Sequence, residues 1–175
     1  MLRREAESQI LPNLPAFLAG KYQPQDNEER FALLGVCQDT KRSLALARLY
    51  DEAFAADPHR SWDLTDHRFL AACSAAQVGC GRGADVGGLD AQLRARWRTK
   101  AKEWLRTDLA AWRQALDRDP AGTRNLLRQK LANWQRDADL AGLRERTELE
   151  KLSPDERQDW LALWDEVGAL LNRSK

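Results

Sequence analysis

Apolar residues recur at helical spacing along most of this chain. The clearest stripe is Leu46, Leu49, Tyr50, Ala53 and Phe54, which predicts a helix from about Arg42 to Ala56 that stops ahead of Pro58. Before it, a helix is expected over about Glu28 to Gln38, capped by Asp26 or Asn27, with Asp39-Thr40-Lys41 as the turn. A third helix centres on Phe69, Ala72, Cys73 and Ala76, capped by Thr65 or Asp66; its small side chains let neighbours approach closely. A long fourth helix begins near Leu89-Asp90 and carries Leu93, Trp97, Ala101, Trp104, Leu105, Trp112 and Leu116. Asp119-Pro120 closes it. Thr123 to about Arg136 then repeats the pattern with Leu126, Leu127, Leu131 and Trp134, followed by a connector at 139–144 and a short stretch holding Leu149 and Leu152. Ser153-Pro154-Asp155-Glu156 is a strong helix start, with a serine cap, proline in the first turn and acids behind it. The helix it opens carries Trp160, Leu163, Trp164, Val167, Leu170 and Leu171.

Two segments interrupt this pattern. Residues 1–27 form a lead-in, with a short helix over Leu2 to Leu11, interruptions at Pro12 and Pro15, and a polar linker from Gly20. Leu14, Phe17 and Leu18 are spaced to fold back on a neighbour. The stretch 79–88 holds five glycines and reads as a flexible loop between helices. The chain therefore divides into a lead-in (1–27), a central region (28–118) and a Trp/Leu-rich helical cap (119–175).

Composition agrees with an all-α fold, because Ala, Leu, Arg and Gln dominate over Ile, Val, Thr and Tyr. Lys plus Arg is 28 against 27 for Asp plus Glu, a balance that gives no global pull toward nucleic acid or anionic membrane. No apolar run is long enough to span a bilayer, and Met1-Leu2-Arg3-Arg4-Glu5 does not open a signal peptide. The expectation is a cytoplasmic chain whose three cysteines are reduced thiols.

Within 28–118 the spacing Phe31-x2-Leu34-Gly35-x2-Gln38, followed by Ala47, Tyr50, Ala53, Phe54 and Pro58, resembles the tetratricopeptide (TPR) repeat. Phe69, Ala72, Cys73, Ala76, Ala101 and Leu105 follow the same template with an expanded loop. The expected architecture is a TPR-like stack of helical hairpins, a short α-solenoid closed by a C-terminal capping helix. More widely, Leu46–Pro58, His67–Gly83, Leu105–Leu116, Trp134–Arg144 and the Trp160-to-Leu171 helix resemble the C-terminal helical region of large bacterial serine/threonine kinase–TPR proteins. That resemblance implies a non-catalytic module for contact with a protein or peptide. It implies no kinase activity, because the chain has no His-Arg-Asp or Asp-Phe-Gly motif.

If the repeats bind in a concave face, the polar positions off the apolar stripes would line it: Arg30, Gln38, Arg68 and Gln77. The rival readings are a structural or oligomerisation tail, and a polyanion site on the helix at 93–113. Between Leu89 and Leu116 seven Arg or Lys face only three acids, with Arg94, Arg98, Lys102 and Arg106 as the candidate patch. Packing of Trp97, Trp104, Ala101 and Leu105 explains that helix better, with arginine stems covering the edges of the stripe. No catalytic set, cofactor or metal site is expected. Cys37, Cys73, Cys80, His59 and His67 lack the close pairing of a zinc site, and no Gly-Lys-Ser/Thr follows the glycine loop. Cys80 is expected to be the most exposed thiol, and Trp62 stands apart from any stripe.

Overall fold

The computed structural model describes residues 12–56 and 66–174. The stretch Leu2 to Leu11 and Pro58, His59, Trp62 and Thr65 lie outside the described residues, as do the side chains of Asn27, Glu28 and Phe31. The described chain is all-helical. Its elements are α1 (Leu14–Leu18), α2 (Asn27–Asp39), α3 (Ser43–Ala56), α4 (Asp66–Gly79), α5 (Ala91–Arg118), α6 (Pro120–Trp134), a 3-10 helix (Ala138–Leu143), α7 (Arg146–Leu149) and α8 (Pro154–Arg173).

The helix starts follow from their capping residues. Asp26, Asp90 and Ser153 accept hydrogen bonds from the backbone N–H of Glu29, Leu93 and Glu156. Two prolines start helices where the sequence pattern placed breaks. Pro15 lies in the first turn of α1, which buries Leu14 and Phe17. Pro120 opens α6 three residues earlier than expected, because its fixed φ suits a first helical position and Asp119 accepts from Gly122 N–H. Only Asp119 separates α5 from α6.

α4 is the central helix. Its principal neighbours are α3, α5 and the 3-10 helix. Ala71, Ala72, Ala75, Ala76 and Val78 are all fully buried, so the helix is covered on adjacent sides rather than along one stripe. Small side chains make this possible. At Gly79 a Cβ would lie 2.2 Å from Arg98 Cγ, so α5 crosses close to the end of α4. With 28 residues, about 42 Å of helix, α5 is twice the length of α4 and also meets α6 and α8. Trp134 and Trp160 are buried in the core, and Trp134 stacks on Phe69 of α4 with ring centres 5.5 Å apart.

The lead-in is tied down by one carboxylate. Glu29 accepts from Asn13 Nδ2, Tyr22 Oη and Gln25 N–H, which holds its carboxyl below the ordinary glutamate range. Residues 80–90 form an ordered connection rather than a loose one. Asp85 accepts from Leu44 N–H and Ala45 N–H at 3.0 and 2.9 Å and so caps α3 from a distance. Ala84 N–H donates to Lys41 O at 2.9 Å, and Val86 is buried. At Gly83 φ is 129°, and a Cβ would meet Ser43 Oγ at 2.7 Å.

A candidate peptide cleft at the turn between α2 and α3

A cleft that brings together two of the predicted positions lies where α2 turns into α3. The turn closes with Arg42 N–H donating to Cys37 O at 2.8 Å and Lys41 N–H to Gln38 O at 3.1 Å, a helix-ending pair that needs a left-handed residue between. Lys41 fills that position with φ 55°, the one non-glycine among the described residues with positive φ. Such a conformation costs a lysine about 1 kcal/mol or more. It projects the adjacent cations Lys41 and Arg42 onto the rim of a cleft of about 380 Å³. Arg82 enters the same cleft from the glycine-rich connection, and Leu46, Tyr50 and Leu70 supply apolar wall.

A hydrogen-bond relay crosses the cleft. Ser43 Oγ donates to Gln77 Oε1, and Gln77 Nε2 donates to Asp139 Oδ1 at 2.5 Å. The relay joins α3, α4 and the 3-10 helix. Burial pushes the Asp139 carboxyl above its ordinary value, against the lowering effect of the Gln77 bond. Asp139 is the only acid lining the cleft among the described residues, against Lys41, Arg42 and Arg82; of these Arg82 also donates to Ala138 O at 3.5 Å and lies close enough to act on the Glu148 carboxyl.

Both thiols at this site are buried. Burial pushes Cys37 up to about 12 and Cys73 well above 9.0, so both stay protonated at neutral pH. Cys73 has ligand atoms of Asp137 and Asp139 close by, all within 4.8 Å of one another. Both carboxylates are committed elsewhere: Asp137 accepts from Asp139 N–H and Asp139 from Gln77. Cys80 is the most exposed of the three thiols, as expected, but is still half-buried and packs its Sγ against Gly142, where a Cβ would lie 2.6 Å away.

Of the four polar positions expected on a concave face, the cleft gathers two, Gln38 and Gln77. Gln77 is spent on the relay. Arg68 instead turns toward α5 and faces the buried Asp108 at 3.9 Å, and Arg30 lies half-buried in the first turns of α2, away from the cleft. Lys41, Arg42, Ser43, Arg82 and Asp139 were missed from sequence. The readable signal was the Lys-Arg pair in the turn; Arg82 and Asp139 arrive only through folding.

The basic face of α5 is matched by acids of α8. Arg98 binds Glu156 through Nε and Nη2 at 2.5 and 2.9 Å and donates from Nη1 to Gly79 O at 2.8 Å. Lys102 pairs with Asp159, while Arg106 and Arg113 flank Glu166 at 4.0 and 3.7 Å. Arg94 lays its guanidinium over Gly81. Three of the four cations of the candidate polyanion patch thus form a seam with α8. No helix among the described residues is long and apolar enough to cross a membrane. Compared with protein-family models, curated proteins and solved structures, the chain matches none.

Proposed function

We propose that this chain is a non-catalytic protein-interaction module with TPR-like organisation, related to the helical tail of bacterial serine/threonine kinase–TPR proteins, and that it captures an acidic peptide segment in the cleft beside the α2–α3 turn. The observation that carries this reading is the charge of the cleft. Lys41, Arg42 and Arg82 come from two separate turns and outnumber the one lining carboxylate, Asp139. Neither Lys41 nor Arg42 is paired with an acidic side chain among the described residues. An acidic side chain of a bound segment supplies the missing charge, and a neighbouring apolar residue packs on Leu46 and Leu70. The left-handed Lys41 supports the reading, since strain of this kind concentrates at binding sites. Protonated thiols and a hydrogen-bonded carboxyl favour binding over turnover.

Panning a random peptide library on the full chain tests it. Enriched sequences are expected to carry Asp or Glu beside an apolar residue and to be lost from a Lys41→Glu/Arg42→Glu variant. Enrichment that is equal on the variant, or absent altogether, overturns the proposal.

A further inference from the structure

The two flanks of α5 are covered differently. On one, α8 lies along the helix with Trp160, Leu163 and Val167 buried and its acids set against Arg98, Lys102, Arg106 and Arg113. On the other, toward α3, Leu93 and Trp97 of α5 and Leu89, which precedes its Asp90 cap, line a groove of about 190 Å³, Leu89 and Trp97 resting in part against the core. Leu93 is 37% exposed, among the largest apolar side chains left open on the described surface. Arg48 of α3 and Arg96 of α5 border the groove, and neither is bonded to an acid among the described residues. Lys100 spans from α5 to Asp51 of α3 at 2.9 Å.

We propose that this groove docks an acidic amphipathic helix of a partner protein, with apolar anchors on Leu89, Leu93 and Trp97 and carboxylates on Arg48 and Arg96. The molecule carries the template for such an occupant. α8 is itself an amphipathic helix with acids beside its apolar stripe, and it covers the neighbouring flank of the same α5 by that chemistry. An amphipathic helix docks by laying its apolar face into an apolar groove, and Leu89, Leu93 and Trp97 supply that wall here. The bordering arginines select the sign of its charge, because a basic helix would set cation against cation. Charge pairing at the rim also makes the association salt-sensitive. The groove shares no lining residue with the cleft at the α2–α3 turn, so the two sites stand or fall separately.

The test uses a fluorescein-labelled helical probe of about 18 residues, five turns, with leucines along one face and glutamates beside them, and a twin in which lysines replace the glutamates. Each is titrated with the full chain and read by anisotropy. The acidic probe is expected to bind saturably, and the lysine twin at least about tenfold more weakly. Leu93→Glu, and separately Arg48→Glu/Arg96→Glu, should each weaken the acidic probe by about tenfold or more while leaving the unfolding midpoint unchanged. In a Lys41→Glu/Arg42→Glu background, which removes the cleft as a second acceptor of acidic segments, the part of probe binding that depends on Leu93 should persist. Equal binding of both twins, or binding indifferent to Leu93→Glu, overturns the proposal. So does retention on phosphatidylserine vesicles in place of the probe, which would make the groove a membrane surface. A concentration-dependent dimer abolished by Leu93→Glu would assign it to a second copy of the chain and equally refute it.

Discussion

The seam between α5 and α8 and the cleft at the α2–α3 turn are built from the same residue types but differ in how their charges are balanced. In the seam Arg98, Lys102, Arg106 and Arg113 each face an acid of α8. In the cleft Lys41, Arg42 and Arg82 outnumber the one lining carboxylate, Asp139. The seam was the more conspicuous feature of the sequence, a basic helix interleaved with tryptophans, and it is largely consumed in holding the fold together. The cleft was almost silent, a Lys-Arg pair in a turn. A cluster of cations is informative only after its counter-charges have been found, and these lie about sixty residues away in the chain.

The difference can be broken at Arg98. Arg98→Ala removes the forked pair with Glu156 and the bond to the Gly79 carbonyl, and is expected to cost about 2–3 kcal/mol in urea denaturation. Restoring the pair in reverse, with Arg98→Glu and Glu156→Arg, should recover only part of this, because glutamate cannot donate to Gly79 O. In the cleft the same kind of change should act on binding instead. Arg42→Glu is expected to weaken an enriched acidic peptide about tenfold, or about 1.4 kcal/mol, with stability altered by no more than about 0.5 kcal/mol.

Asp139 gives the comparison a pH dependence. Its folded carboxyl titrates above the unfolded value, so its contribution to stability is complete below about 3.8 and is lost as pH climbs through the raised value. Melting temperatures of Asp139→Asn and the parent chain, followed upward from that pH, should therefore shift in favour of the variant; a constant difference would contradict the burial of this carboxyl. The smallest effect is expected at the exposed end of the seam. Glu166→Ala should change stability by less than about 0.5 kcal/mol, since its partners are long and well solvated.

The helical fold was legible because caps and stripes are local. Asp26, Asp90 and Ser153 each start the helix expected of them, and the Leu46-to-Phe54 stripe lies inward. α4 was harder to place. Its run of alanines shows no single face, and what makes it central is that small side chains admit α3 and α5 on adjacent sides. Pro15 misled, and Pro120, which closes α5 as expected, also opens α6, because the same residue that breaks a helix interior suits a first turn. Arg68 and Gln77 were read as outward polar positions on a stripe argument, which has no means of anticipating that Asp108 and Asp139 would meet them.

Asp85 has a consequence for anyone who wishes to build on this scaffold. Its carboxylate seals the start of α3, while Gly87 and Gly88, immediately beyond, are exposed, with empty space where a Cβ would stand. A guest sequence spliced between those two glycines would emerge outside the sealed junction, leaving the start of α3 tied to the connection that precedes α5 and the insertion free to carry a reporter or a second domain.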